Sequence, residues 1–159
     1  MSDAERFAAI FDGLQQAYGT FEIDRTSSNG KSQGKARVIR EPRTTEHFQQ
    51  HLAGEGAGIG IIPINEEDKC IWGCIDIDEY PLDHVKLIER IRHAKIPLVV
   101  CRSKSGGAHC FIFCTDWLPA KTMQSTLQHL ASGLGYGGSE IFPKQIKLFL
   151  DRGDIGNFL

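Results

Sequence analysis

The sequence has no long hydrophobic run and no export signal. No apolar stretch approaches the roughly 18 to 20 residues that a membrane helix needs, and the first five residues are too acidic for a secretory signal. The five cysteines are an odd number, so they cannot all pair within one chain. Membrane, fibrous and disulfide-stapled secreted classes are therefore excluded, and we expect reduced thiols in a cytoplasmic protein.

The sequence also has little that indicates a zinc site. Two cysteine pairs, Cys70 with Cys74 and Cys110 with Cys114, lie inside apolar segments that are typical of strands. A spacing of four residues on a strand separates two thiols by about 13 Å, whereas structural zinc takes its ligand pairs from tight turns. We therefore expect these cysteines to be small core residues. A Ser or Cys nucleophile with a matching His pattern is missing too.

What is present is an ordinary globular composition with segregated charge. The chain has 159 residues, 41% of them hydrophobic and 24% charged, which fits one domain or one core with a small module. The net charge of -2 is spread unevenly. An acidic segment, 54–83, lies between two basic segments, 25–46 and 84–104. This pattern suits a protein that binds cations centrally and anions around them, although solvated loops would produce it too.

The first 66 residues predict a small α/β module. A capping box at Ser2 and apolar residues at helical spacing predict a helix that reaches Gly19. The polar, Gly-rich segment 26–34 predicts a mobile loop, 35–40 a short strand, 45–52 a helix that ends at a Gly-rich turn, and 58–64 another strand.

Residues 67–159 predict a more regular unit. Strands are expected at 70–78, 97–102, 109–114, 139–142 and 145–150, with helices at 81–93 and 119–134. The order is β-α-β-β-α-β, which indicates an RNA-recognition-motif-like core. The fold class we expect is therefore α/β (α+β), with the N-terminal module packed on the open face of the core sheet.

Alternation along the strands predicts a cluster of acids on that open face. Asp76 and Asp78 point away from the helices together with Trp72 and Cys74, whereas Ile71, Ile75 and Ile77 point toward them. His109, on the third strand, and Glu140, on the last one, share the face of the aspartates. Two aspartates about 7 Å apart repel each other, so the pKa of one carboxyl group rises or a cation is required. Oxygen ligands of this kind suit Mg²⁺ or Mn²⁺.

The segment Cys101-Arg-Ser-Lys-Ser-Gly-Gly-Ala-His109 predicts a second feature of the same region. Its Gly-rich turn joins two strands and presents Arg102, Lys104, two hydroxyls and backbone N–H groups around one point. Such a turn suits an anion as large as a triphosphate. An ordinary hairpin turn followed by a core histidine explains the same residues equally well.

Three segments together resemble the archaeo-eukaryotic primase superfamily, and most closely the primase-polymerase domains of TOTE conflict systems and related phage and mobile-element proteins. They are Asp76-Ile-Asp78, Ser105-Gly-Gly-Ala-His109 and Glu140-Ile-Phe-Pro-Lys-Gln145. The family carries an Asp-x-Asp/Glu motif, a Ser/Gly-x-His motif and a third acidic motif on an RNA-recognition-motif-like core. The resemblance extends from about Tyr18 to the end.

The resemblance implies a role for each matching residue. Asp76 and Asp78 would hold two divalent ions, Mg²⁺ or Mn²⁺, with Glu140 or Asp151 as the third acid, and His109 would contact the phosphates of the incoming nucleotide. The nucleotide would also be bound by Arg102, Ser103, Lys104, Ser105 and Lys144. The basic residues expected to bind nucleic acid are Lys35, Arg37, Arg40 and Arg43.

The implied function is a DNA primase or polymerase-type nucleotidyltransferase that adds nucleotides on a DNA template, within a phage-defence or mobile-element system. Its partners would be nucleoside triphosphates, template and primer DNA, and a helicase or another domain if the chain is a fragment of a longer protein. The alternative is a non-catalytic nucleic-acid-binding module in which Phe111 and Phe113 stack on bases. A replication-initiator nickase would need a His-x-His pair, but His47 and His51 are four residues apart.

Overall fold

A computed structural model describes residues 1–26 and 32–159. Within these residues the chain forms four helices and two antiparallel sheets. The N-terminal elements are α1 (Asp3–Ile10), β1 (Tyr18–Thr26), β2 (Ser32–Ile39), α2 (Thr45–Ala53) and β3 (Gly58–Gly60). The later elements are β4 (Lys69–Ile77), α3 (His84–His93), β5 (Val99–Arg102), β6 (Ala108–Pro119), α4 (Ala120–Gly133), β7 (Glu140–Phe142) and a 3₁₀ turn (Leu150–Arg152).

The two sheets are formed by different halves of the chain. The N-terminal sheet has the strand order β2-β1-β3, and the second sheet has the order β5-β6-β4-β7. Every pairing between neighbouring strands is antiparallel. Strands β4 and β6 therefore lie at the centre of the second sheet, where both can carry residues that face the same site.

One face of the second sheet packs against α3 and α4. Ile75 and Ile77 of β4 and Cys110 of β6 lie in a core cluster with Leu87 of α3 and Leu127 of α4. These five side chains are almost fully buried. Removing such apolar surface from water contributes roughly 25 cal/mol per Å² to the stability of the fold, and this layer fixes the strands that carry the aspartates.

The opposite face of the sheet packs against the N-terminal helices. Trp72, Phe111 and Phe142 form a second buried cluster with Ala4 of α1 and Phe48 of α2. The Trp72 indole N–H also donates to the carbonyl of Asp12 (2.7 Å) in the loop after α1. The hydrophobic cluster and this hydrogen bond attach residues 1–60 to the face that carries the functional residues.

The N-terminal helix is shorter than the sequence predicts. It begins at the Ser2–Glu5 capping box but ends at Ile10, not at Gly19. Gly13 packs so closely against the Ile62 carbonyl that a Cβ atom would lie 2.1 Å from its oxygen, and the Leu14 N–H donates to the same carbonyl (3.0 Å). The chain must therefore leave the helix here, and Tyr18 already belongs to β1.

Two further predictions for the strands are wrong. A register shift between Cys70 and Trp72 turns Ile71 toward the cluster under the N-terminal helices, because one extra residue reverses the alternation of side chains. No strand forms at 145–150: there the Leu148 N–H donates to the Asp68 carboxylate (2.7 Å) instead of to a neighbouring strand.

The predicted mobile loop, 26–34, is largely outside the described residues. Its two ends belong to β1 and β2, which pair up to Thr26 and Ser32, and 27–31 are not described. The expected strand at 35–40 corresponds to the later part of β2, and the expected helix at 45–52 to α2. In the described part of the chain, no helix has the length and apolarity needed to cross a membrane.

Candidate active site

Asp76 lies at the centre of the candidate site, between two predicted functional residues. In the strand register it is opposite His109 of β6 on one side and opposite Glu140 of β7 on the other. The His109 Nε2 atom is 3.4 Å from the Asp76 Oδ1 atom. The fold therefore brings together an aspartate, a histidine and a glutamate that are up to 64 positions apart in the sequence.

The surroundings of Asp76 oppose its negative charge. Burial is the main cause that raises the pKa of its carboxyl group, and the nearby charges of Asp78 and Glu140 raise it further, to about 6. Lys144 acts in the opposite direction but does not compensate. A carboxylate that is destabilised in this way gains most from a bound cation, because the cation offsets both the burial and the repulsion.

Asp78 is held in place by Tyr80, which the sequence analysis did not single out. The Tyr80 hydroxyl donates to the Asp78 Oδ1 atom (2.7 Å). This hydrogen bond is the main cause that raises the pKa of Tyr80, and the Ser105 side chain of the Gly-rich turn between β5 and β6 acts in the opposite direction. Tyr80 thus orients one oxygen of Asp78.

The turn between β5 and β6 depends on its two glycines. Gly106 has a φ of 94°, which L-residues rarely adopt, and Gly107 lies so near the Ile77 carbonyl that a Cβ atom would be 2.2 Å from its oxygen. The N–H groups of Ser103 and Gly106 donate within the turn (3.0 Å each). They are therefore not available for an anion, so side chains must provide more of the anion contacts than the sequence predicts.

A cavity of about 860 Å³ opens in front of this turn. This volume is within the usual range for small-molecule sites, roughly 300–1,000 Å³. We call the side that comes from the second sheet the charged wall; it consists of Asp76, Asp78, Arg102, Ser103, Lys104, Ser105 and His109. We call the other side the glycine wall; it consists of Phe21, His51, Gly56, Gly58, Ile59, Gly60, Phe158 and Leu159.

Three groups of the charged wall are partly withdrawn from water. Burial lowers the pKa of His109, Lys104 lowers it further, and Asp78 acts against both. Burial also lowers the pKa of Lys104, whose Nζ atom lies 2.9 Å from the ring centroid of Phe21 on the glycine wall. The Ser103 hydroxyl is buried and has no hydrogen-bond partner among the described residues. An anionic ligand would give the Lys104 ammonium group a charged partner.

The carboxylates fit a divalent cation by their chemistry, but they are not arranged as a complete set of ligands. Among residues 1–26 and 32–159, no group of three or more His, Cys, Asp or Glu side chains could hold a metal ion. The Glu140 carboxylate instead bonds to the Lys144 ammonium group (2.8 Å), and Tyr80 occupies one oxygen of Asp78. Asp76 and Asp78 thus leave positions that substrate oxygens would have to fill.

The two candidates for the third acid differ in position. Glu140 is opposite Asp76 in the sheet and contributes to its raised pKa. Asp151 is exposed on the 3₁₀ turn after β7. The geometry therefore places Glu140 beside Asp76, and it gives Lys144 an ion pair with Glu140. The contact of Lys144 with the nucleotide stays a prediction.

One of the four basic residues expected to bind nucleic acid is in the wrong place for it. The Arg43 side chain is only 3% exposed and forms an ion pair with Asp12. It also donates to the carbonyls of Phe11 (3.1 Å) and Gly13 (3.3 Å). Burial lowers the pKa of Arg43, and Asp12 is the main influence in the opposite direction. Arg43 therefore stabilises the fold and is not available to DNA.

The other three basic residues, Lys35, Arg37 and Arg40, are exposed on β2 or directly after it. A contact with phosphate groups requires a surface position, so nucleic-acid binding by these three residues stays a prediction.

The residues of the glycine wall carry no sequence motif. Phe21, His51 and Phe158 come from β1, from the last turn of α2 and from the end of the chain. His51 belongs to no His-x-His pair, and the other two are apolar. The backbone groups of Ile61 and Leu159 bond to each other (2.9 and 3.1 Å), which places Phe158 beside the glycines.

Comparison with known proteins agrees with the resemblance. The family model of the TOTE conflict system archaeo-eukaryotic primase domain matches residues 15–159. No curated protein matches the chain. The family match covers both walls of the cavity, including every described residue named above for the aspartate motif, the turn and the third acidic position. The chain belongs to the archaeo-eukaryotic primase domains of TOTE conflict systems.

Proposed function

We propose that the chain is a DNA primase-polymerase-type nucleotidyltransferase domain, which adds nucleotides on a DNA template in a conflict system and depends on Mg²⁺ or Mn²⁺. The observation that carries the proposal is the position of Asp76, which pairs in the strand register with His109 and Glu140 and faces a cavity that ends at the turn of Ser105. Primase family membership suggests this class of activity.

The residues of the charged wall have distinct tasks in this proposal. Asp76 and Asp78 would hold the two divalent cations, with Glu140 as the third acid once it releases Lys144. When bound, such cations activate the attacking hydroxyl and stabilise the charge on the transferred phosphoryl group and on the leaving pyrophosphate. Tyr80 keeps the Asp78 carboxylate oriented toward the cavity.

The phosphates would be bound by the turn. Lys104, Arg102, Ser103 and Ser105 all lie on the same wall of the cavity as the aspartates. Burial favours the neutral form of His109, which then donates one hydrogen bond to a phosphate oxygen. Hydrogen bonds to charged groups are the stronger ones, worth roughly 1.5–3 kcal/mol each.

We propose the RNA-recognition-motif-like unit as the scaffold, made of β4 to β7 with α3 and α4. The alternative, a module that stacks bases on the aromatic face of that unit, has less support. The Phe11 ring packs at 5.2 Å from Phe111 and at 5.4 Å from Phe113, measured between centroids. Helix α1 and the residue after it thus cover Phe111, which is buried, whereas Phe113 stays 38% exposed.

A primer-extension and de novo priming assay on the full chain tests the proposal. We expect nucleotide incorporation in the presence of Mg²⁺ or Mn²⁺, and a loss of at least about a hundredfold in Asp76→Asn and in Asp78→Asn, because each cation then loses an anionic ligand. Both variants should fold normally, since the substitution removes charge repulsion and keeps the side-chain volume.

A matched control is Asp116→Asn. Asp116 is an exposed aspartate on β6, near the end of the strand opposite to His109. The Asp116→Asn variant should incorporate nucleotides at the wild-type rate. Equal incorporation by Asp76→Asn, Asp116→Asn and the wild type would contradict the proposed site.

A further inference from the structure

The glycine wall differs in chemistry from the charged wall that it faces. Within the described residues, His51 is the one polar side chain among the groups that form it. A Cβ atom added at Gly56 would meet nothing within 4 Å, and at Gly58 it would meet only atoms at 3.8 Å and beyond. The wall thus offers apolar surface and bare backbone, which suit a neutral, flat group far better than a phosphate.

The hydrogen bonds of His51 leave one ring nitrogen for a ligand. The Ile59 backbone N–H donates to the Nδ1 atom (3.3 Å), so Nδ1 carries no proton and the neutral ring has its proton on Nε2. In the described part of the chain, the Nε2–H group has no hydrogen-bond partner. His51 lines the cavity, and its ring is fixed against Phe7, with 5.8 Å between the ring centroids.

His47, one turn earlier on α2, provides the contrast. Its Nδ1 atom accepts from the Thr44 N–H (3.1 Å), and its Nε2 atom is 3.3 Å from the Tyr18 hydroxyl. Both of its ring nitrogens therefore have partners within the protein. Both histidines lie on α2, and a backbone N–H group donates to the Nδ1 atom of each ring. Only His51 has a ring N–H donor without a hydrogen-bond partner in the described part of the chain.

We infer that His51 is a substrate-contacting residue: its Nε2–H group donates a hydrogen bond to a sugar oxygen of the incoming nucleotide, whose nucleoside half lies on the glycine wall. The inference rests on the proposed function. It follows from the division of the cavity, because the cations and hydroxyls that suit a triphosphate are all on the charged wall. The sugar, not the base, is the partner, since a templated substrate must leave its base edge to the template.

Equilibrium binding measures the contact without any need for turnover. The probes are non-hydrolysable ATP and CTP analogues and inorganic tripolyphosphate, each titrated into the full chain with Mg²⁺. The variant His51→Asn keeps an oxygen near the Nδ1 position for the Ile59 N–H but lacks the Nε2 donor. We expect its dissociation constants for both nucleotide analogues to rise by about three- to tenfold, the worth of one neutral hydrogen bond. Its affinity for tripolyphosphate should not change.

Two companion variants separate a ligand contact from a structural effect. His51→Gln places an amide donor near the Nε2 position and should recover most of the lost affinity. His47→Asn should bind all three probes like the wild type, whatever its effect on the melting temperature.

Three results would overturn the inference. The first is an unchanged nucleotide affinity in His51→Asn. The second is an equal loss of affinity for tripolyphosphate, which would place His51 at the phosphates. The third is a loss of affinity for only one of the two nucleotide analogues, which would place His51 at the base. If the wild-type chain binds no nucleotide analogue at all, the proposed function itself is wrong and the inference falls with it.

Discussion

The two walls of the cavity differ in where their residues come from. The charged wall is made by neighbouring strands of one sheet, and its central residues are direct partners in the strand register. The glycine wall is assembled from β1, α2, β3 and the last two residues of the chain. The first wall thus depends on strand pairing, whereas the second depends on how residues 1–60 pack onto the rest of the protein.

Under the proposed function, this difference would separate two tasks. Residues that bind metal and phosphate must be held at fixed mutual distances, and a regular sheet provides such distances. The glycine wall would accept a nucleoside of variable identity, and bare backbone with one oriented donor is enough for that. We therefore expect changes in the charged wall to affect all phosphate-containing ligands, and changes in the glycine wall to affect only ligands with a nucleoside.

The largest effect should come from Arg43, which helps to attach residues 1–60, where most of the glycine wall lies, to the second sheet. Its ion pair with Asp12 and its bonds to the Phe11 and Gly13 carbonyls fix the loop after α1, and the Asp12 carbonyl also accepts from Trp72 of the second sheet. Arg43→Gln should lower the free energy of unfolding by about 2 kcal/mol, because the half-buried Asp12 carboxylate and the carbonyls of Phe11 and Gly13 then lose their donor.

Denaturant unfolding monitored by tryptophan fluorescence measures this effect. Arg37→Gln and Arg40→Gln are the matched controls, since both side chains are exposed, and each should change the stability by less than about 0.5 kcal/mol. If Arg43→Gln is as stable as these controls, the ion pair does not contribute to the attachment of residues 1–60.

His109→Ala should have the next largest effect and sharpens the contrast between the walls. It removes one donor from the charged wall, so the dissociation constants of a nucleoside triphosphate analogue and of tripolyphosphate should both rise by about tenfold or more. The affinity for DNA should not change. Isothermal titration with Mg²⁺ present checks the result, with the melting temperature as the test of folding. A normal affinity together with a lower melting temperature would make His109 a core histidine.

The smallest effect should come from the exposed residues Arg37 and Arg40, which lie on neither wall. We expect the double variant Arg37→Gln/Arg40→Gln to bind DNA more weakly and to reduce the slope of log K against log salt by about one for each lost phosphate contact. Nucleotide affinity should be unaffected. A slope equal to that of the wild type would leave both residues as ordinary surface charge.

The part of the site that the sequence predicts is the part that depends on local pattern. Alternation along β4 and β6 places Asp76 and His109 on one face, and the structure confirms that they lie side by side. Ile71 fails the same rule, because the register shift beside it depends on the partner strand. The prediction for Arg43 rests on charge alone, and nothing in its sequence neighbourhood indicates that its side chain would be buried in an ion pair with Asp12.

The glycine wall could not be predicted, for a related reason. Phe21 and Phe158 are apolar residues without a motif, and they reach the cavity only through long-range packing, such as the contact of Phe158 with Gly19 and Gly60, where a Cβ atom would lie 2.2 Å from the ring. The helix predicted to continue to Gly19 would have taken the first two residues of β1, and with them the glycine against which Phe158 packs.

The central claim is that Asp76 and Asp78 bind a nucleoside triphosphate through divalent cations, in the cavity between the walls. The most direct measurement is the affinity of the full chain for a non-hydrolysable nucleoside triphosphate analogue, with Mn²⁺ and with a chelator, for the wild type and for Asp76→Asn/Asp78→Asn. The account predicts that tight binding needs both the cation and the two aspartates. Equal affinity in the chelator, or in the double variant with Mn²⁺, would contradict it.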